Sequence, residues 1–471
     1  MAIDLGQLKN LFFSGLGGSG MSALAQLLNG RGVHITGSDR KYDRGESSSL
    51  FAKLAAQGIE LVPQDGSGVM ESLDAVVVSS AVEPDTPDYR RAVELGIPLV
   101  KRPELLAALV NSAALGICFS GTSGKSTATG LCAYVLTELG ARPNFISGAA
   151  VVNYLGGPTT GNALGSESGI YCVEACESDG SIVNYRPAVG VILNLEREHH
   201  EISELVSMFE RFASATQGQL ILNADCPNIP RLDLTKAGAK TEKVSFSLVN
   251  KTADLRAENL RLAPLSADFT VGGVEFRSPL PGKYNVYNVL AALAACEAVD
   301  IEREDFARVL PAFRGVARRF QVVGESRGVT VIDDFAHNPA KIAAVLSAFE
   351  AWKTLRRRIV VFQPHGYGPT RFYLDQLVET FARELDEKDL LILPEIYYAG
   401  GTAARDISSR VVAGRVSARG KKALYFERRS EALPVILEEA SAGDVVLVLG
   451  ARDDSLSDFC RQILSALKEQ G

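Results

Sequence analysis

The 471-residue sequence lacks an excess of positive charge. Its 49 lysines and arginines are outnumbered by 56 aspartates and glutamates, which gives a net charge of −7. A protein that grips many nucleic-acid phosphates normally carries a basic stripe, and we find none in the sequence. The composition therefore argues against general nucleic-acid binding.

Signals for disulfides and for membranes are also missing. The seven cysteines are scattered and odd in number, and no CxxC pair occurs, which is typical of a protein in the reducing cytosol. No uncharged apolar stretch reaches the roughly 20 residues that a membrane span needs. The first residues show no charged segment followed by an apolar one, so we expect no signal peptide. These absences predict a cytoplasmic protein with no membrane partner.

Strand-like runs alternate with helical patterns over most of the chain, which predicts parallel sheets with crossover helices. At roughly 100–200 residues per domain, the length predicts about three domains. The stretch 243–280 alternates like antiparallel strands around Gly272-Gly273, which predicts a hairpin insert on the edge of a sheet. We expect an α/β protein with a Rossmann-like N-terminal domain at 1–112, a central P-loop ATPase-like domain carrying the antiparallel insert at 113–313, and a Rossmann-like C-terminal domain at 314–471.

A glycine-rich loop, FSGTSGKS at 119–126, follows an apolar strand-like run and precedes a helical pattern. A full P-loop has glycine where this chain has Phe119, so the general motif fails at one position. The free backbone N–H groups and the helix dipole at such a junction still favour an anion. Lys125 can reach the outer phosphates of a nucleotide, and the Ser126 hydroxyl can bind Mg²⁺. The loop therefore predicts nucleotide binding in preference to a plain glycine turn with an exposed lysine.

Another glycine loop lies nearer the N-terminus, at Gly15-Leu-Gly-Gly-Ser-Gly20. It contains GxGxxG between a strand pattern and a helix pattern, and Asp39 ends the next strand. We name it the first glycine loop, and we name the loop at 119–126 the second glycine loop, or phosphate loop. Taken alone, the motif predicts a dinucleotide-binding unit, with a simple tight turn as the alternative. Beside an ATP loop, a diphosphate-bearing substrate explains a second site better than NAD does. The helix N-terminus can hold any pyrophosphate by the same physics.

Two strand ends predict a magnesium site. Glu174 ends the strand IYCVEA, and His199 lies in the loop after the strand VGVILN. The carboxyl ends of adjacent parallel strands face the ligand crevice of an open α/β sheet, so we expect both residues to converge on the Mg²⁺ that Ser126 binds. Mg²⁺ prefers oxygen and usually takes one or two carboxylates, so His199 is the less usual ligand and a solvated loop residue is its alternative.

Several motifs together resemble the Mur ligase family, and most closely its alanine-adding branch, over nearly the whole chain. The set is far more specific than any single motif. It comprises GLGGSGMSALA (15–25), GSD (37–39), VVVSSAVEPDTP (76–87), KRPELLAALV (101–110), GTSGKST (121–127), EACESDGS (174–181), NLEREHHE (194–201), PGKYNVYNVLAA (281–292), GVARRFQ (315–321), DDFAHNP (333–339), FQPHGYGPTR (362–371) and GDVVLVLGARD (443–453).

This resemblance implies an ATP-dependent ligase of peptidoglycan precursor synthesis. In the family, ATP phosphorylates the carboxylate of UDP-N-acetylmuramic acid or a close analogue, and the amine of an amino acid, L-alanine in this branch, attacks the acyl phosphate to form an amide. Cations must offset the repulsion between ATP and a carboxylate, and domain closure keeps water from the acyl phosphate. The expected cofactors are ATP and Mg²⁺, the expected partners are the UDP-sugar and an amino acid or peptide, and the expected state is a monomer or weak homodimer.

The motif matches imply roles for individual residues. The catalytic set is Lys125, Glu174, His199 and Arg319, and the metal ligands are Ser126, Glu174 and His199. The nucleotide-binding set is Gly121, Thr122, Ser123, Gly124, Lys125, Ser126, Thr127, Asn285, Asn288, Asp334 and His337. The substrate-binding set is Gly17, Gly18, Ser19, Gly20, Met21, Ser22, Ser38, Asp39, Ser79, Ser80, Arg102, His365 and Arg371. Helix capping is the alternative for Asn285 and Asn288.

The sequence departs from the branch pattern at the expected acceptor side. HGYGPTR (365–371) stands where the branch usually has His-Arg-Tyr-Ser-Arg-Thr-Arg, so Gly366 and Pro369 remove two arginines and Arg371 remains. Arginine forks are natural clamps for carboxylates and phosphates. The departure leaves the acceptor open between an amino acid and a peptide.

Three other functions stay open at this point. A ligase that reattaches a recycled murein peptide to the sugar would suit a roomier acceptor site. A binding paralogue would hold ATP and a UDP-sugar without forming an amide. The altered acceptor loop argues for it, and the retention of Lys125, Ser126, Glu174, His199 and Asn285 argues against it. A dehydrogenase that uses NAD at the first glycine loop does not explain the second loop.

Overall fold

The computed structural model describes residues 5, 8–79, 82–198, 200–236, 238, 241–398 and 404–469. Within these ranges, no helix has the length and apolar character needed to cross a bilayer. The chain divides into two compact units, each described below by itself. The first consists of Met1–Leu260, Asp268–Pro279 and Asn285–Val316, and the second of Arg261–Ala267, Leu280–Tyr284 and Ala317–Gly471.

The N-terminal part of the first unit is a five-stranded parallel sheet with helices between its strands. Its strands are β1 (Asn10–Ser14), β2 (His34–Ser38), β3 (Glu60–Val62), β4 (Ala75–Val78) and β5 (Leu99–Lys101), and its helices are α1 (Ser19–Asn29), α2 (Arg40–Asp43), α3 (Ser48–Ala56), α4 (Pro87–Leu95) and α5 (Arg102–Asn111). The order β3-β2-β1-β4-β5 puts β1 in the centre. Phe12 and Phe13 of β1 are both buried, as expected for a parallel strand covered on both faces. The first glycine loop therefore leaves the middle of the sheet.

The rest of the first unit is built on an eight-stranded sheet. Its strands are β6 (Leu115–Ser120), β7 (Asn144–Ile146), β8 (Ala163–Leu164), β9 (Ile170–Glu174), β10 (Val189–Ile192), β11 (Gln219–Asn223), β12 (Glu242–Ser247) and β13 (Leu255–Arg256), and its helices are α6 (Lys125–Glu138), α7 (Ile202–Ala215), α8 (Lys283–Glu297) and α9 (Arg303–Val309). The order is β13-β12-β11-β10-β6-β9-β7-β8. Only β8 pairs antiparallel to its neighbour in this sheet. Because β6 lies between β10 and β9, the three loops that follow these strands start from one edge.

The prediction of a hairpin insert over 243–280 is partly wrong. The strands β12 and β13 extend the large sheet in parallel with β11. A separate three-stranded sheet follows, formed by β14 (Glu258–Ala263), β15 (Ser266–Val271) and β16 (Val274–Ser278) in that order. The turn at Gly272-Gly273 is confirmed, and both glycines have positive φ, as a two-residue hairpin turn requires. Alternation predicts strands, but it does not say which neighbour a strand pairs with.

The second unit carries a six-stranded sheet in the order β17-β18-β22-β19-β20-β21. Its strands are β17 (Gln321–Ser326), β18 (Val329–Asp334), β19 (Arg357–Phe362), β20 (Leu390–Pro394), β21 (Lys422–Phe426) and β22 (Asp444–Leu449), and its helices are α10 (Pro339–Ser347), α11 (Tyr367–Phe372), α12 (Leu374–Glu384), α13 (Ser409–Ser417), α14 (Ala432–Glu439) and α15 (Ser455–Glu469). The edge strand β17 runs antiparallel to β18, whereas the other pairs are parallel. The predicted α/β class is confirmed, and the domain boundaries stay a prediction.

Candidate active site

The second glycine loop connects β6 to α6 and is held by an asparagine from the neighbouring strand. The Asn194 Oδ1 accepts from Thr122 Oγ1 and from the Ser123 backbone N–H, both at 2.8 Å. The Asn194 Nδ2 donates to the Ser123 carbonyl at 3.0 Å. Asn194 follows β10, which pairs with β6, so sheet order brings it to the loop. Sequence reasoning missed this role, although Asn194 stands in the motif NLEREHHE.

Gly124 brings the loop into contact with helix α8. Its φ of 85° is left-handed, and a β-carbon at this position would overlap the side-chain oxygen of Asn288. Asn288 in turn donates to Asn285 Oδ1 at 3.0 Å, and both side chains are buried. Asn288 therefore lies against the phosphate loop with Asn285 hydrogen-bonded behind it, and contact of either residue with nucleotide stays a prediction.

Lys125 is the first residue of α6 and is held by a carboxylate that sequence reasoning did not single out. The Lys125 Nζ donates to Glu177 Oε2 at 2.7 Å and to the Gly121 carbonyl at 2.5 Å. The side chains are 12% and 2% exposed. Burial lowers the pKa of Lys125, but Glu177, through its charge and its hydrogen bond, together with Cys176 and Glu174, outweighs that effect, so the pKa lies above its ordinary value. Lys125 therefore stays a cation, as phosphate binding requires.

Ser126 and Glu174 meet at Gly148. A β-carbon at Gly148 would lie 3.5 Å from both carboxylate oxygens of Glu174 and 3.6 Å from Ser126 Oγ. The Glu174 Oε1 accepts from Ser147 Oγ and from the Gly148 N–H, which fixes the carboxylate. A hydroxyl and a carboxylate are oxygen ligands of the kind that Mg²⁺ prefers, so this pair fits a magnesium ion bound together with phosphates. His199 lies outside the described residues, and its role as a ligand stays a prediction.

No group of three or more histidine, cysteine or acidic side chains that could hold a metal occurs among the residues that the structure describes. Cys172 is buried, and its thiol donates to the Thr129 carbonyl.

The first glycine loop presents exposed backbone at the start of α1. Gly18 and Ser19 are exposed, whereas the Gly17 N–H donates to Asp39 Oδ2 at 2.8 Å. A β-carbon at Gly20 would lie 3.2 Å from the Nε of Arg102. The Arg102 guanidinium also pairs with Asp179 at 3.2 Å. The loop thus combines a helix N-terminus with a cation, which suits a diphosphate.

Other residues of the predicted substrate set are engaged inside the fold. Ser38 Oγ donates to Asp88 Oδ2 at 2.5 Å, and Ser14 Oγ donates to the same oxygen at 2.9 Å. Asp88 is buried and also accepts from the Gly66 N–H. Met21 and Ser22 are buried in α1. Ser79 is half-buried, and Ser80 lies outside the described residues. Contact of these residues with substrate stays a prediction.

Arg319 belongs to the second unit and stacks on an aromatic ring. The guanidinium carbons of Arg318 and Arg319 lie 5.0 and 4.4 Å from the centroid of the Phe335 ring. Arg318 has a positive φ of 57° and Phe320 one of 49°, so the backbone on both sides of Arg319 is left-handed, which is costly for residues with a side chain. Arg318 is anchored by the Gly450 carbonyl at 2.7 Å. Arg319, a member of the predicted catalytic set, is therefore held in a defined place.

Asp334 ends β18 and is buried. Its carboxylate accepts from the Phe320 N–H at 2.6 Å and from the Ala336 N–H at 2.7 Å. Burial raises the pKa of Asp334, although Arg319 and these two N–H groups oppose the shift. Asp334 therefore shapes the turn that carries Arg319, and its contact with nucleotide stays a prediction.

The two predicted histidines of the second unit lie together. The rings of His337 and His365 are 5.1 Å apart edge to face, and His337 Nδ1 lies 2.9 Å from the Phe335 carbonyl. Gly366, which precedes α11, has a φ of 74°. Arg371, at the other end of α11, forms an ion pair with Asp406. The cluster of His337, His365 and Phe335 shows that the DDFAHNP and HGYGPTR motifs meet in space.

Comparison with known proteins identifies the family. Three sequence profiles match in order: "Mur ligase family, catalytic domain" at 11–113, "Mur ligase middle domain" at 119–296 and "Mur ligase, glutamate ligase domain" at 318–452. A UDP-N-acetylmuramate–L-alanine ligase of Acaryochloris marina is 32% identical, with 96% of this chain and 94% of the relative covered. One from Sulfurihydrogenibium sp. is 33% identical, with 98% and 99% covered.

Solved structures agree in fold. The UDP-N-acetylmuramate-alanine ligase of Thermotoga maritima matches with a TM-score of 0.78 at 24% identity, covering 98% of this chain and all of that one. A murein peptide ligase of Psychrobacter arcticus matches with a TM-score of 0.67 at 20% identity, covering 98% of this chain and 99% of that one. With the three profiles in order and relatives above 30% identity along nearly its whole length, the chain belongs to the Mur ligase family.

Proposed function

We propose that this chain is an ATP-dependent ligase that joins the carboxylate of UDP-N-acetylmuramate to L-alanine through an amide bond, in peptidoglycan precursor synthesis. The observation that carries the proposal is the phosphate loop with Lys125 and Ser126 beside the fixed carboxylate of Glu174. The names of relatives that cover nearly the whole chain support the two substrates.

The residues of the first unit bind and neutralise phosphates. The backbone of 121–124 and the N-terminus of α6 cradle the β- and γ-phosphates of ATP, and Lys125 offsets their charge. Ser126 and Glu174 would hold a Mg²⁺ ion, which supplies positive charge at the phosphate oxygens when it is bound. At the first glycine loop, the N-terminus of α1 and Arg102 take the diphosphate of the UDP-sugar.

The reaction has two steps in this proposal. A carboxylate oxygen of the sugar substrate attacks the γ-phosphorus of ATP, and ADP leaves. The amine of L-alanine then attacks the acyl carbon, and inorganic phosphate leaves as the amide forms. We assign Arg319 to contact with phosphate, and His365 and Arg371 to binding of the substrates. Because water would hydrolyse the acyl phosphate, the site must exclude it during both steps.

We also propose that the enzyme works in the cytoplasm, as a monomer or weak homodimer. All seven cysteines are free thiols in the structure, which is the state that a reducing compartment maintains.

A phosphate-release assay tests the proposed function. ATP, Mg²⁺ and UDP-N-acetylmuramate are supplied with L-alanine, with other amino acids, or with the peptide L-alanyl-γ-D-glutamyl-meso-diaminopimelate. Release that depends on both the sugar and L-alanine is expected, and Lys125→Ala should abolish it. Release that needs neither sugar nor acceptor would refute the ligase assignment, and turnover by Lys125→Ala would refute the ATP site.

The peptide arm tests the second candidate, a murein peptide ligase. Gly366 and Pro369 leave α11 with a single arginine, Arg371, which is already paired with Asp406. A site with fewer arginines offers fewer clamps for a small acceptor's carboxylate. Turnover with the peptide but not with L-alanine would make the recycling reaction the function of this chain.

A further inference from the structure

One short loop of the first unit contacts two cations: Lys125 at the phosphate loop and Arg102, which lies beside the first glycine loop. The loop, Cys176–Gly180, follows β9, which ends at Glu174, and carries two acidic side chains two residues apart. Glu177 faces Lys125 of the phosphate loop, and Asp179 faces Arg102 beside the first glycine loop. We name Glu177 and Asp179 the paired carboxylates.

The loop is held in a fixed shape by its own hydrogen bonds. The Gly180 N–H donates to the Glu177 carbonyl at 3.0 Å, and the Ile182 N–H donates to the Cys176 carbonyl at 2.9 Å. The Ser181 N–H donates to Asp179 Oδ1 at 3.0 Å, which leaves Oδ2 for Arg102. The two carboxylates therefore stand at set positions before any ligand binds.

The two ion pairs differ in their exposure to solvent. Lys125 and Glu177 are 12% and 2% exposed, so their attraction is weakly screened. Arg102 and Asp179 are 23% and 32% exposed, so solvent and salt weaken their attraction more. Each pair engages a cation that the proposed function assigns to a phosphate.

We propose that the paired carboxylates are positioning residues that hold Lys125 and Arg102 in the free enzyme and compete with the incoming phosphates for them. The inference rests on the proposed function, because it takes the two glycine loops as the sites of ATP and of the UDP-sugar. ATP binding then requires the ion pair between Lys125 and Glu177 to break. When that ion pair forms again, it helps to release ADP. Asp179 competes in the same way with the diphosphate of the UDP-sugar for Arg102, and its effect on affinity is smaller.

The variants Glu177→Gln and Asp179→Asn remove each negative charge while keeping size and a hydrogen-bond acceptor. The dissociation constants of ADP and of UDP are measured by calorimetry without Mg²⁺, so that only the protein's cations meet the phosphates. Glu177→Gln should bind ADP about ten-fold more tightly, since coupling energies of close buried charges reach or exceed that factor. Asp179→Asn should bind UDP about two- to five-fold more tightly, because more exposed pairs contribute less.

The selectivity of the two effects is the decisive readout. Glu177→Gln should leave UDP binding unchanged, and Asp179→Asn should leave ADP binding unchanged, because each carboxylate touches one cation. Glu94→Gln and Asp305→Asn are the matched controls, since they break the exposed pairs with Arg91 and Arg308 on the surfaces of α4 and α9. Neither control should change either constant.

Weaker or unchanged ADP binding by folded Glu177→Gln, or equal effects of either variant on both ligands, would overturn the inference. If Glu177→Gln does not fold, Glu177→Asp keeps the charge at a longer distance and should bind ADP more tightly than the wild type by a smaller factor; an unchanged constant there also overturns it. Failure of the wild type to bind ADP or UDP would instead count against the proposed function.

Discussion

At the residue scale, the phosphate loop depends on backbone shape as much as on its cation. Gly121 and Gly124 both have positive φ, and the loop backbone is bonded to Asn194. The Phe119 side chain, which stands where a full P-loop has glycine, is buried in β6. The missing glycine therefore falls in the strand and leaves the cradle at 121–126 intact.

The variant Gly124→Ala should damage both stability and nucleotide binding. A left-handed residue with a side chain costs about 1–2 kcal/mol, and the new β-carbon would push Asn288 away from Asn285. Gly140→Ala is the control, because Gly140 has a similar φ of 88° and its β-carbon would meet no atom within 4 Å. Chemical denaturation should show a lower free energy of unfolding in both variants, with the larger decrease in Gly124→Ala. In a binding titration, only Gly124→Ala should bind ADP more weakly than the wild type. Equal behaviour of the two would contradict the contact with α8.

The chemistry of the candidate site could be predicted from the sequence, but its internal partners could not. Lys125, Ser126 and Glu174 stand in recognisable motifs, and the structure places Ser126 and Glu174 at Gly148. Glu177 and Asp88 were missed as partners because their bonds reach residues 52 and 50 positions away, Lys125 and Ser38. Such bonds depend on the order of strands in a sheet, which a local motif does not encode.

At the element scale, strand order decides which loops meet. The strand β6 pairs with β10 on one side and β9 on the other, so the loops bearing Asn194 and Glu174 flank the phosphate loop. Alternating apolar runs predicted most of these strands within a few residues. The same patterns did not predict that β12 and β13 join the large sheet, because pairing partners are set by tertiary contacts.

The packing of helix α6 gives a prediction of its own. Gly130 lies inside α6, and a β-carbon there would lie 2.9 Å from Val151 Cγ2 and 3.1 Å from Val316 Cγ2. Alanine gains about 1 kcal/mol of helix propensity over glycine, but overpacking typically costs about 1–3 kcal/mol. Gly130→Ala should therefore lower the free energy of unfolding.

The exposed Gly414 in α13 is the control for this prediction. A β-carbon at Gly414 would meet no atom within 4 Å, so Gly414→Ala should keep the whole propensity gain and raise the free energy of unfolding by about 0.5–1 kcal/mol. Denaturant titrations of the two variants should move in opposite directions. Stabilisation by Gly130→Ala would show that α6 does not approach Val151 and Val316 as closely as described.

At the scale of the whole molecule, the chain forms two compact units, and the sequence predicted α/β blocks throughout both. Both glycine loops and the paired carboxylates belong to the first unit, whereas Arg319, Asp334 and His337 belong to the second. The α/β fold class was predicted from the alternation of strand-like and helical patterns along the sequence. That alternation could not predict the short edge strands, such as β3 and β8, because two or three residues show no measurable period.

This division predicts the thermal unfolding of the full-length protein. Two separately packed units should give more than one calorimetric transition, and a ligand stabilises the unit that binds it. ADP at about 100 times its dissociation constant contributes about 2.7 kcal/mol, and UDP should act likewise, so each should raise the transition of the first unit. Hydrogen exchange in β6 and β22 assigns the transitions, since these strands lie in different units. Lys125→Ala should lose the shift with ADP and keep the shift with UDP, because Arg102 and α1 are unchanged. A single transition that both ligands shift as a whole would mean that the two units unfold together.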